Sequence, residues 1–116
     1  MKRRLGLVVV DHLGWIKPDN PKATRNDQLG AITAGLKSLA KELGCVVVAL
    51  CQLSRECERR PDKRPLLSDL RDSGNIDQDA DQVIALYREG YYDESADPTQ
   101  CEAIWRKFRS GKPSTV

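Results

Sequence analysis

The sequence predicts an α/β fold with a mainly parallel sheet and flanking helices, and three observations lead there. Residues 5–10 (LGLVVV) and 45–50 (CVVVAL) are short, almost continuously apolar runs, the pattern of strands buried on both faces of a parallel sheet. Between them Leu29, Ile32, Leu36, Leu39 and Leu43 recur at spacings of three and four, which is the stripe of a helix with one apolar face. Strand, helix and strand in that order form a right-handed crossover unit, so these two strands run parallel.

Taken in chain order, the first strand ends at Asp11 and the helix stops at Gly44, a residue suited to the left-handed position after a last helical turn. The second strand follows at once and is succeeded by Gln52. Next comes a polar loop, SRECERRPDKRP, in which Arg55, Arg59, Arg60, Lys63 and Arg64 face three acids. Residues 65–73 predict a short helix with Pro65 in its first turn and Gly74 as its stop. Residues 83–87 and 102–108 read as a third and a fourth strand, joined by the polar connection REGYYDESADPTQ and followed by the turn RSGKP. No internal repeat or low-complexity tract is present. The chain stops almost directly after its last strand, which suggests a piece of a larger domain.

Composition limits the classes of function. A chain of 116 residues is long enough for one core that buries roughly 65% of the unfolded surface. Charged residues make up 31%, hydrophobic ones 40% and aromatic ones 5%, a soluble globular balance. The net charge of +2 says little, but residues 104–116 carry Arg106, Lys107, Arg109 and Lys112 with no acid. Such a patch suits phosphate or nucleic acid, and equally a solvated tail. Cys45, Cys51, Cys57 and Cys101 form no C-x-x-C pair and His12 lies far from them in sequence, so a zinc site is not expected. Nothing resembles a signal peptide or a membrane span, and the expected compartment is a reducing cytosol.

Ligands of parallel α/β sheets bind at the carboxyl ends of strands, where Asp11 stands. An acid after an apolar strand can hold a magnesium ion directly or through water, although the same pattern occurs in unrelated α/β proteins. Gln52 ends the neighbouring strand, where a neutral amide can touch a γ-phosphate; the plainer reading is an amide bonded to its own backbone. The phosphate loop G-x-x-x-x-G-K-[ST] is absent. SGKPST at 110–115 imitates it, with Arg106 in place of the first Gly and Pro113 in place of the hydroxyl. The chain alone should therefore not bind a nucleotide tightly.

Residues 68–89, SDLRDSGNIDQDADQVIALYRE, concentrate acids ahead of the third strand. Asp77, Asp79 and Asp81 imitate the start of a calcium loop, but Gln82 and Arg88 occupy the positions that require Gly and Glu. A solvated loop with a helical turn also fits.

From Leu5 to Val116 the chain resembles the carboxy-terminal half of the RecA-like motor domain of replicative DNA helicases of the DnaB family, bacterial or phage. The resemblance rests on LGLVVVDHLG, on LKSLAKELGCVVVALCQLSRECERRPDKRPLLSDLRDSGNIDQDADQVIALYRE and on KFRSGKPSTV. The middle segment is long and specific. Residues 1–116 are thus expected to form the carboxy-terminal portion of a RecA-like ATPase domain that is incomplete for want of its phosphate-loop half.

The resemblance implies an ATP-dependent, hexameric helicase that moves 5′ to 3′ on single-stranded DNA, with ATP and Mg2+ as cofactors and a helicase loader and primase as further partners. Asp11 would order the magnesium, and Gln52 would couple phosphate state to the DNA loops. Arg71, Asp72 and Gly74 would lie on the loop facing the channel, with the basic loop at 55–64 supporting DNA binding. Lys107 and Arg109 would reach a neighbouring subunit's nucleotide; without the resemblance they read as charges that guard an edge strand. His12 and LGWI replace the usual Tyr and its continuation, and Asp72 replaces a commoner Glu. Competing readings are another RecA-like ATPase, of recombinase or clock type, and a non-catalytic oligomerisation or DNA-binding remnant of a prophage gene.

Overall fold

A computed structural model describes residues 3–70 and 75–116. The chain divides into two compact units. The first holds β1 (Leu7–Val10), α1 (Arg25–Leu43), β2 (Val46–Ala49) and the one-turn helix α2 (Ile76–Asp79); the second holds β3 (Gln82–Tyr87) and β4 (Glu102–Phe108).

In the first unit β1 and β2 pair in parallel from Leu7 opposite Val46 to Val10 opposite Ala49, as the strand–helix–strand order requires. Helix α1 begins four residues before its first apolar stripe position because Thr24 caps it. The Thr24 hydroxyl accepts the Asp27 N–H at 3.2 Å and donates to the Asp27 carboxylate at 2.7 Å, closing the first turn. Gly44 ends the helix at φ +61°. Thr33, buried on α1, donates to the Asp79 carboxylate at 2.5 Å and so ties α2 to the helix. The strands are not covered on both faces. Val8, Val10 and Val47 are half-buried, whereas Leu7, Val9, Val46 and Val48 are exposed, with Val46 at 60%. Helix α1 packs against β2, and only one face of the pair has such a cover among the described residues.

In the second unit β3 and β4 run antiparallel, Gln82 opposite Phe108 through Tyr87 opposite Glu102, with an irregularity at Val83/Ile84. Ala85, Tyr87 and Ile104 form its core. Residues 114–116 add to the edge of β4, where the Trp105 N–H donates to Ser114 and Ala103 and Val116 exchange both backbone bonds. The expected turn at RSGKP is present, and a Cβ on Gly111 would stand 2.6 Å from the Phe108 ring.

The helix expected over 65–73 is replaced by a 3₁₀ turn at Leu67–Asp69, with 71–74 outside the described residues. The cause is competition for its first groups. Arg106 Nε takes the Pro65 carbonyl at 2.6 Å, the acceptor that the Asp69 N–H would use in an α-helix, and that N–H donates instead to the Leu66 carbonyl at 3.0 Å.

Candidate functional site

The parallel register places Asp11 and Gln52 beyond the carboxyl ends of paired strands, Val10 being opposite Ala49. Two backbone bonds hold this end together: Leu50 N–H to the Val10 carbonyl and Leu13 N–H to the Leu50 carbonyl, both 2.9 Å. The Asp11 and Gln52 side chains are exposed. The Asp11–His12 peptide is cis. His12 shapes the chain that follows: Nδ1 accepts the Gly14 N–H at 3.1 Å and caps the 3₁₀ turn Leu13–Trp15. A Cβ on Gly14 would lie 2.7 Å from the His12 ring, so this turn and this ring fit only with glycine there. Beside Gln52, burial pushes the Cys51 thiol up, opposed by the charge of Arg25; the group is held as a neutral thiol. Among the described residues no three His, Cys, Asp or Glu side chains gather where they can hold a metal ion. Asp11 alone among these side chains stands at the strand end as a single carboxylate.

Lys107 and Arg109 belong to the second unit. Lys107 is opposite Val83 in β4, and Arg109 follows the strand's end. The Arg109 guanidinium pairs with Asp81 at 2.8 Å, and its N–H donates to the Asp81 carbonyl at 2.9 Å. Arg71, Asp72 and Gly74 lie outside the described residues. The acidic run ahead of β3 is divided among separate partners: Asp69 takes Arg60, Asp79 takes Thr33 and Asp81 takes Arg109.

Sequence reasoning missed how the basic loop is used. Arg60 forks the buried Asp69 at 2.8 and 2.6 Å. Arg64 forks Glu102 at 2.8 and 2.6 Å and stands over the Tyr87 ring at 4.7 Å. Their charges are thus engaged within the chain. Arg55 remains an exposed base of this loop. The partners Asp69 and Glu102 lie 9 and 38 residues away in sequence, so no local pattern signalled the pairing.

Comparison with known proteins places the fold. Residues 1–116 match the family described as DnaB-like helicase C terminal domain. A replicative DNA helicase DnaB of Rickettsia bellii is 50% identical over 97 residues, covering 84% of this chain and 20% of that protein. The replicative DNA helicase DnaB of Geobacillus stearothermophilus is 46% identical over 114 residues, covering 97% and 25%. Among solved structures, one described as an ATPase domain superposes with a TM-score of 0.90 at 45% identity, covering 95% of this chain and 39% of that one. A DnaB-like replicative helicase described with its interactions with primase gives the same TM-score and identity, covering 95% of this chain and 26% of its own. The fold is part of a RecA-like α/β motor domain, and the chain belongs to the DnaB-like helicase C-terminal domain family. It spans about a fifth to a quarter of the length of the curated relatives it matches.

Proposed function

We propose that these residues are a working part of an ATP-driven replicative helicase that forms a ring hexamer, moves 5′ to 3′ on single-stranded DNA and unwinds duplex. The observation that carries this reading is the register of β1 and β2, whose paired carboxyl ends are followed within three residues by an acid on one strand and an amide on the other. Magnesium, when bound with ATP, neutralises phosphate charge. Asp11 orders that ion from its exposed position. Gln52 donates its amide N–H to the γ-phosphate and passes the state of the nucleotide to the chain that follows it. Arg71, Asp72 and Gly74 hold the DNA backbone, whose phosphates read charge and not base sequence. Lys107 and Arg109 act on the nucleotide of the next subunit, and Arg109 leaves Asp81 to do so. Primase is a partner by analogy with the solved DnaB-like helicase described with it; a loader is a further one.

The test is Asp11→Ala in the complete helicase that carries these residues. ATP turnover should fall about a hundredfold or more, in keeping with the several kcal/mol that a bound metal supplies, while ring assembly persists. Turnover unchanged by Asp11→Ala contradicts the reading.

A further inference from the structure

We infer that Arg106 is a positioning residue for the two cations that follow it: it is the extra residue of a β-bulge in β4, anchored to the Pro65 carbonyl, and the bulge turns Lys107 and Arg109 onto the core face of the β3–β4 pair. The inference rests on the functional reading above, in which Lys107 and Arg109 act on the neighbouring subunit's nucleotide; it gives Arg106 no contact with nucleotide or DNA. All of these residues belong to the second unit.

The register contains the bulge. Ile84 is opposite Trp105 and Val83 is opposite Lys107, so one step along β3 takes two steps along β4 and Arg106 is passed over. Residues opposite each other in an antiparallel pair share a face, and so do alternate residues of one strand. Glu102 opposite Tyr87 and Ile104 opposite Ala85 mark one face, whose buried core is Ala85, Tyr87 and Ile104. Ile84 with Trp105 and Gln82 with Phe108 mark the other, where Trp105 Nε1 donates to the Gln82 side chain at 3.1 Å. A regular ladder beyond Trp105 would set Arg106 opposite Val83 and Lys107 opposite Gln82, on the Trp105 face, and Arg109 would follow Lys107 there. An added residue shifts the register by one, and a shift of one exchanges the faces. Lys107 therefore stands opposite Val83, and Arg109 next to Asp81, both on the face of Ile104.

Arg106 is held out of the ladder from outside it. Pro65 is buried, and Arg106 Nε donates to its carbonyl at 2.6 Å. A buried acceptor is costly to leave without a donor. The slip that would bring Arg106 opposite Val83 must break this bond, so the anchor and the direction of the next two cations are one property.

The experiment compares Arg106→Gln and Arg106→Met in the complete helicase that carries these residues, with ATP turnover followed in assembled rings well below the melting temperature of each. The Gln amide nitrogen lies the same number of bonds from Cα as Arg Nε and carries no charge, whereas Met has the same length and no donor. Arg106→Gln should keep most of its turnover. Arg106→Met should lose about tenfold or more in kcat, since a displacement of about 1 Å can cost on the order of a hundredfold. Its KM for ATP should stay unchanged, as it does when only transition-state contacts are weakened. Backbone hydrogen exchange over residues 107–109 should be faster in Arg106→Met than in Arg106→Gln. Equal exchange or equal turnover in the two variants overturns the inference: turnover retained in both makes the anchor idle, and turnover lost in both makes the charge of Arg106 the working feature. A raised KM with kcat kept overturns it too. If Arg106→Met does not assemble, Arg106→Gln decides alone, with turnover retained in support and turnover lost against. Arg109→Ala is measured beside them. Normal turnover there contradicts the functional reading, and the positioning falls with it; an inactive Arg109→Ala ring beside a fully active Arg106→Met ring overturns the positioning alone.

Discussion

Asp69 keeps a carboxylate almost out of water, and the energetics of that burial depend on charge. Hydrogen bonds from Arg60, and then the Leu66 N–H, hold its carboxyl below the usual range against the opposing effect of burial. A carboxylate whose folded-state pKa is depressed stabilises the fold above its unfolded value, and that stability disappears as pH falls through the folded value. The melting temperature of Asp69→Asn should therefore lie well below that of the unaltered protein at pH 7, and the gap should narrow as pH drops below about 4. A gap that is constant across this range contradicts the ion pair as its source. Arg109 and Asp81 are different, both more than half exposed. Exposed pairs contribute about 0–1 kcal/mol, so Arg109 can exchange Asp81 for a phosphate at little cost. At this scale the positions of Asp11 and Gln52 past two strand ends were legible, because a strand end is marked by the residue that interrupts an apolar run. The sequence did not show Arg60–Asp69 or Arg109–Asp81, since partners brought together by irregular loops follow no period.

At the scale of elements, α1 offers two glycines with opposite expectations. Gly35 is exposed in mid-helix, and a Cβ there meets nothing within 4 Å, so Gly35→Ala should stabilise the helix by about 1 kcal/mol. Gly44 holds φ +61°, and Gly44→Ala should cost about 1–2 kcal/mol. Denaturant unfolding of the two variants checks both signs, and a loss of stability in Gly35→Ala would contradict the packing described for α1. The limits of legibility follow the same physics. The fourth strand is found at 102–108 as its apolar and charged residues indicated, and Gly44 stops the helix as expected. The start of α1 was missed because its first turn, Arg25 to Gln28, is polar and is set by the Thr24 cap. The helix over 65–73 was read from Pro65 and Gly74, but the Arg106 side chain, outside any local pattern, takes the Pro65 carbonyl that its first turn would use. The apolar runs indicated strands correctly and burial too generously, since one face of the β1–β2 pair stays open in these residues.

For the whole molecule, the chain holds no phosphate loop, yet carries residues assigned to both sides of a nucleotide: Asp11 and Gln52 for its own subunit, Lys107 and Arg109 for the next. Under the proposed function, that division would make activity a property of neighbours. A guanidinium offers a fixed fork of donors and stays cationic, and such a finger is worth on the order of a thousandfold in rate. The most direct measurement mixes complete helicase subunits carrying Arg109→Ala with subunits carrying Asp11→Ala, and follows ATP turnover in rings verified to contain both. Each homogeneous ring should be inactive, and the mixed rings should regain turnover wherever an intact Asp11 pocket meets an intact Arg109. Ordinary turnover by the homogeneous Arg109→Ala ring, or no recovery in verified mixed rings, would contradict the account.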